Sequence, residues 1–277
     1  MGPLAQPISA EDDPGPRMAL GGTADVYAWG DRQILKLYRP GASDEQIQRE
    51  AAQTAAALAA GAPAPAVAGV IQFRGRLGIV FERIEGPTLV SALAERPNEV
   101  LDCARQFAGL HARLHSLTGT GLPGQRDRMR TDIQSARLSP ELRASVLAAL
   151  DGLPNGDAVC HGDFHPLNVI VSSTGPMVID WYNATCGNPL ADVARTVLLL
   201  EFTDLPRHSE SAVRVAVDAV RVPFLAAYRA GYAALRPFDP AELRAWTVAV
   251  AAARLAKPLS AGEQAFLVAL VRAGLGR

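Results

Sequence analysis

Apolar residues follow two rhythms along this chain. Over residues 17–86 they form short runs separated by glycine-bearing turns, the pattern of paired strands. Ala19-Leu20 and Ala24 to Trp29 flank Gly21-Gly22-Thr23, and Gln33 to Tyr38 follows Gly30-Asp31-Arg32. Ala66 to Phe73 and Leu77 to Glu82 flank Arg74-Gly75-Arg76. One helix interrupts the strands: Ser43 opens it, it passes through Ile47, Arg49 and Glu50, and Gly61 ends it. Beyond Gly86-Pro87 the spacing lengthens to that of helices, the first capped by Thr88. The next is expected over Asn98 to Leu117, with Val100, Leu101, Phe107, Leu110, His111 and Leu114 on its apolar stripe. Thr118 to Arg130 reads as a Gly- and Arg-rich loop, followed by helices from Thr131 and from Ser139. Three more are predicted over Ser209 to Tyr232, broken or kinked at Pro223, then Pro240 to Ala256 and Ser260 to Gly274.

Between the two groups of helices the rhythm returns to strands. Val169-Ile170-Val171 and Met177-Val178-Ile179 are separated by Ser172-Ser173-Thr174-Gly175-Pro176, a hairpin composition. Pairing Ser172 with Met177 would set Val169 opposite Asp180, bringing Asp180 to the end of the ladder where Asn168 sits, with Asp163 five residues before Asn168. Pro166 donates no amide hydrogen and disfavours helix in His165, so Cys160 to Asn168 is expected to be a fixed loop. Three oxygen-bearing side chains then converge, in the arrangement phosphoryl transfer uses: one Asp to orient the acceptor hydroxyl, an Asn and a second Asp to hold magnesium.

His161-Gly162-Asp163-Phe164-His165-Pro166-Leu167-Asn168 followed by Ile179-Asp180-Trp181 resembles the aminoglycoside phosphotransferase and choline kinase family, distant relatives of protein kinases. The resemblance implies an α+β, bilobal protein-kinase-like fold. Its small antiparallel-sheet lobe holds one main helix, and its mainly helical second lobe carries the catalytic hairpin. Residues 1–16 would be a mobile tail, 17–86 the nucleotide-binding lobe, and 87–277 the lobe with the catalytic loop and acceptor pocket. Asp163 would be catalytic and Asn168 and Asp180 the metal ligands. Lys36, fixed by Glu50 of Arg49-Glu50-Ala51, would grip phosphate beneath the turn Gly21-Gly22-Thr23. In the segment Phe81 to Pro87 the Glu82 carbonyl and Ile84 amide would read the adenine edge. The donor would be ATP or GTP with Mg2+, and the acceptor a hydroxyl on a small molecule. Asp192 would brace the loop. Trp181 stands where protein kinases carry Phe, with no Gly after it, which argues against a mobile activation segment.

Composition sharpens parts of this. The chain has 277 residues, 49% of them hydrophobic, enough for two lobes. Its 27 basic residues include only two lysines, Lys36 and Lys257, so a lysine in the apolar run Ile34 to Tyr38 points to a compact charge for phosphate. A net charge of −1 argues against nucleic acid or an anionic membrane as partner. Three scattered cysteines, with no signal peptide and no membrane span, suggest the cytoplasm. From Asp192 onward eight acidic residues face eleven basic ones, a poor match for a polycationic aminoglycoside. Arg126, Arg128 and Arg130 would form a basic edge. His111 and His115 lie one helical turn apart and read as packing residues, since no third ligand fits the metalloprotease pattern. Tyr228, Tyr232 and Trp246 suit core packing or a quaternary-ammonium group.

Other readings stay open at this level. Cys160, His161, Asp163 and His165 could ligate zinc, or form a structural turn with polar caps. The chain could bind nucleotide without turnover, serving regulation or assembly, or be a metal-dependent hydrolase active without any nucleotide.

Overall fold

In a computed structural model the residues described are 14–20, 23–202 and 211–276. Five antiparallel strands form the first sheet: β1 (Arg17–Leu20), β2 (Ala24–Trp29), β3 (Gln33–Tyr38), β4 (Val67–Phe73) and β5 (Arg76–Glu82), in the order β1-β2-β3-β5-β4. Alternation along β3 sets what each face does. Leu35 and Leu37 pack with Trp29, Phe73 and Val80 on one side. Tyr38 packs on the other with Ile79, Phe81 and two residues of α1 (Asp44–Ala59), Ile47 and Ala51. Lys36 shares that second face and therefore points at α1. Ser43 and Gln46 close a reciprocal capping box at the start of α1, fixing where the helix begins.

The chain leaves the sheet through residues 83–88. A side chain on Gly86, which has a φ of +142°, would place its Cβ 2.2 Å from the Val171 carbonyl oxygen, so glycine is required at this close approach. The Val171 amide in turn donates to the Pro87 carbonyl. This links the crossover to the hairpin of β7 (Val169–Ser172) and β8 (Gly175–Val178).

The helical lobe follows: α2 (Leu89–Glu95), capped by Thr88 as expected, α3 (Val100–Leu114), α4 (Gln125–Ser135), α5 (Pro140–Gly152), α6 (Pro189–Phe202), α7 (Ser211–Leu235), α8 (Pro240–Arg254) and α9 (Ala261–Gly274). A short ladder of β6 (Ala158–Cys160) with β9 (Thr185–Gly187) brackets the hairpin. The core gathers Phe107, Phe164, Trp181, Tyr228, Tyr232 and Trp246. Among the described residues no helix is long and apolar enough to cross a membrane.

Several boundaries differ from the sequence reading. Residues 97–99 form a 3-10 turn ahead of α3, which ends at Leu114, and Leu101 is exposed rather than part of the buried stripe. α4 begins at Gln125, so Arg126, Arg128 and Arg130 lie on a helix, not in a loop. Pro223 sits inside α7 without ending it. The segment Met1 to Asp13, within the expected tail, and Gly21 and Gly22 lie outside the described residues.

Candidate active site

The loop entering the hairpin is held from below by one carboxylate. Asp192, in the first turn of α6, accepts the His161 amide at 2.6 Å and the Gly162 amide at 2.8 Å. His111 and His115 bring Nε2 to the same carboxylate at 3.1 and 3.3 Å, and their Nδ1 atoms meet the hydroxyls of Tyr228 and Tyr232 at 2.8 and 2.6 Å. Burial keeps both imidazoles neutral, lowering His111 to about 3 and His115 in the same direction. Each ring thus donates from Nε2 to Asp192 and accepts a tyrosine hydroxyl at Nδ1. Despite full burial, His111 and then His115 hold the Asp192 carboxyl well below its usual range. Sequence spacing offered no third group for the histidine pair; the fold supplies Asp192, and the three polar ends lie within 4.8 Å of one another. Hydrogen bonds account for all of them. Tyr228, Tyr232 and Trp246 are core residues.

Gly162 turns the chain at a φ of +75°, where a Cβ would come within 2.4 Å of the Asn183 carbonyl oxygen. His161, whose ring burial also keeps neutral, then ties two segments together. Its Nδ1 accepts the Asp163 amide at 3.2 Å, and its Nε2 donates to the Ile179 carbonyl at 3.1 Å. Asn168 closes the ring: its Nδ2 donates to the Asp163 carbonyl at 3.0 Å, and its own carbonyl accepts the Ile179 amide at 2.9 Å. Asp163, Asn168 and Asp180 are brought together by these bonds, though not by the register anticipated. Val169 pairs with Val178 and Ser172 with Gly175, so the turn is tighter by two residues and Asp180 lies past the ladder. It sits in the left-handed region, at φ 66° and ψ 62°, a conformation Asp tolerates better than most residues.

Across the cleft, Lys36 Nζ lies 2.6 Å from Glu50 Oε1 and 3.2 Å from Asp180 Oδ1. Burial would lower the lysine pKa, but the two carboxylates outweigh it and raise the value. The Tyr38 hydroxyl donates to the second oxygen of Glu50. Glu45, also on α1, pairs with Arg49 at the surface. Thr23 lines a cavity with Lys36, Tyr38, Glu50 and Asp180. Glu82 ends β5, and Ile84 follows it in the crossover to the helical lobe.

Asp163 itself carries a group that the sequence did not suggest. Arg195 Nη2 lies 3.4 Å from Asp163 Oδ1 and its Nε donates to the Gly162 carbonyl at 3.3 Å; His165 Nε2 stands 3.5 Å from Asp163 Oδ2. Burial pushes the Asp163 carboxyl up, but His165 and then Arg195 outweigh it and hold the group below its usual range. The available signal was spacing: Arg195 follows Asp192 by one helical turn, so both reach the same loop.

The oxygen donors here suit a hard dication. Asn168 spends its amide nitrogen within the loop and, among the described residues, its side-chain oxygen has no protein partner, while Asp180 is partly exposed, with one carboxylate oxygen on Lys36.

The fold has well-matched relatives among solved structures. A thermostable mutant of aminoglycoside phosphotransferase APH(4)-Ia superposes with a TM-score of 0.63 at 18% identity, covering 96% of each chain. Amicoumacin kinase hAmiN, in complex with AMP-PNP, Ca2+ and Ami, gives 0.60 at 15% identity over 94% of this chain and 87% of that one. A choline/ethanolamine kinase family protein from Mesorhizobium loti gives 0.57 at 20% identity, over 95% and 92%. The fold is therefore the bilobal, protein-kinase-like one. No curated protein sequence matches the chain significantly. The model of the phosphotransferase enzyme family matches residues 17–246, nearly all of the architecture described above, and the chain belongs to that family.

Proposed function

We propose that this protein transfers the γ-phosphoryl group of ATP or GTP to a hydroxyl of a small molecule. The observation that carries the reading is the position of Lys36. Its ammonium lies between Glu50 and Asp180. Asp180 in turn follows Ile179, whose backbone is bonded to both His161 and Asn168 of the Asp163 loop. A phosphate-binding cation and an acceptor-facing carboxylate thus belong to one bonded network.

In this reading residues 17–86 bind the nucleotide and 87–277 carry the catalytic loop and acceptor pocket. The Glu82 carbonyl and Ile84 amide meet the base, Lys36 meets phosphate oxygens, and Gly21 and Gly22 with Thr23 cover them. Asn168 through its side-chain oxygen and Asp180 through its carboxylate would hold Mg2+, which when bound neutralises charge on the phosphates. Asp163 orients the acceptor hydroxyl. Its depressed pKa makes it a weak base, which a loose transition state tolerates because little proton transfer has occurred when the phosphoryl group departs. Among the similar structures one is a ternary complex with ADP and hygromycin B and another holds AMP-PNP, which supports nucleotide use by this fold.

The test is magnesium-dependent nucleotide consumption by the purified chain across hydroxylated acceptors, with the product identified by mass. Acceptor-dependent release of ADP or GDP together with a phosphorylated product supports transfer. Tight nucleotide binding with no transfer to any acceptor would favour a binding module, and turnover of an acceptor without nucleotide would favour a hydrolase.

A further inference from the structure

A cavity opens beside the Asp163 loop between α4, α6 and α8, lined by Arg128, Asp132, Gly162, Arg195, Arg254 and Lys257. Asp192 also borders it, with its charge already committed to two backbone amides and two imidazoles. We infer that the acceptor is a hydroxylated acid, a small molecule bearing a carboxylate or phosphate beside its reactive hydroxyl, and that Arg128 and Arg195 receive the anion. This rests on the phosphotransferase reading above.

The structure separates the three arginines that sequence grouped. Arg126 and Arg130 lie one turn apart and are spent on α5 and its exit: Arg126 donates to Asn155 and to the carbonyls of Leu150 and Leu153, and Arg130 pairs with Asp151. Arg128 faces the other way. Its Nη1 lies 3.2 Å from the Tyr182 carbonyl, its Nη2 lies 2.6 Å from Asn183 Oδ1, and the guanidinium rests over the Tyr182 ring. Those partners are all neutral. Among the described residues this guanidinium has no carboxylate in contact.

The other charges in the cavity are accounted for. Arg254 is bound to Glu263 and Lys257 reaches Asp132 at 3.5 Å, while Asp192 is turned to the loop amides and the two imidazoles. Among the described residues Arg195 has the long contact to Asp163 and a carbonyl oxygen. Among the described residues Arg128 has no carboxylate within ion-pair distance and Arg195 has only a long one, and their forked guanidinium groups match the paired oxygens of a carboxylate or phosphate. A polycationic acceptor would have to bury its ammonium groups against these arginines, a like-charge arrangement that interfaces reject.

The experiment uses the full chain with Mg2+ and ATP or GTP, and matched acceptors that share a skeleton: glycerate, glycerol phosphate, glycerol and aminopropanediol, then gluconate, glucose and glucosamine. The expected result is transfer to the acids about tenfold or more above the neutral and amine members. Preference for glycerate and gluconate identifies a carboxylate; preference for glycerol phosphate identifies a phosphate ester. Arg128→Gln should raise KM for the preferred acid about 10- to 100-fold, the loss of one charge-assisted hydrogen bond, and by clearly more than it raises KM for the nucleotide or for the neutral acceptors. Arg128→Lys should recover part of the loss. Preference for amines, silence of every acid while nucleotide still binds, or an equal loss on all acceptors in Arg128→Gln would overturn the inference. A chain that binds no nucleotide would overturn the phosphotransferase reading instead.

Discussion

Replacing Asp192 by Asn removes a fully buried negative charge that four N–H donors address. Two of them, the His161 and Gly162 amides, belong to the loop that presents Asp163. The amide nitrogen introduced by Asn must face at least one of those donors, because both carboxylate oxygens accept hydrogen bonds in the native protein. A hydrogen bond to a charged group contributes about 1.5–3 kcal/mol, and leaving one buried donor unpaired costs about 1–3 kcal/mol more. Losses of about 3–5 kcal/mol follow, against a total stability on the order of 5–15 kcal/mol. For a chain of this size that lowers Tm by roughly 6–10 °C, taking about 2 °C per kcal/mol. Calorimetry and urea titration measure the loss, and nucleotide-dependent turnover, which should fall with the loop displaced, reports the consequence. A destabilisation below about 1 kcal/mol with turnover intact would refute the view that this carboxylate holds the loop.

The buried imidazoles set the response to acid. His111, His115 and His161 have folded pKa values below the ordinary value, so the unfolded chain binds their protons first. Their contribution is fully present above about pH 6.5 and is lost as pH falls below it, for His111 down to about 3, at up to about 1.4 kcal/mol per pH unit for each histidine; a flat stability between pH 7 and 5 in urea titrations would contradict it. Gly162→Ala should cost several kcal/mol and most turnover, since the new Cβ meets the backbone at Asn183; near-native melting and rate would show the turn to be tolerant. Glu50→Gln should raise the nucleotide KM about tenfold by leaving Lys36 without its nearer counter-charge, whereas Tyr38→Phe should cost only about 1 kcal/mol of stability. Steady-state kinetics of the two variants distinguish these outcomes.

Local pattern and motif made much of the architecture legible. Alternation in the run Ile34 to Tyr38 put Lys36 on the face that meets α1, and the Ser43 cap fixed the register of that helix. The hairpin register was misread because Gly175 and Pro176 looked like turn residues. Ser173 and Thr174 alone form the turn, and Pro176 joins a strand of this two-stranded hairpin opposite Val171. The arginine-rich stretch read as a loop because its glycines were weighed with it. Those glycines end at Gly124, and arginine, a good helix former, follows. The contacts of Asp192 with His111 and His115, and of Arg195 with Asp163, were out of reach for a different reason. They join segments tens of residues apart, and nothing in local spacing orders helices relative to one another.

The most direct test of the central claim is nucleotide affinity and turnover measured side by side in Asp163→Asn and Asp180→Asn. Asp163→Asn should bind nucleotide with magnesium nearly as the native chain does while turnover falls about 10²- to 10⁴-fold, and Asp180→Asn should lose both. Turnover that survives in Asp163→Asn, or magnesium-dependent affinity that survives in Asp180→Asn, would contradict the assignment of these residues to one phosphoryl-transfer site.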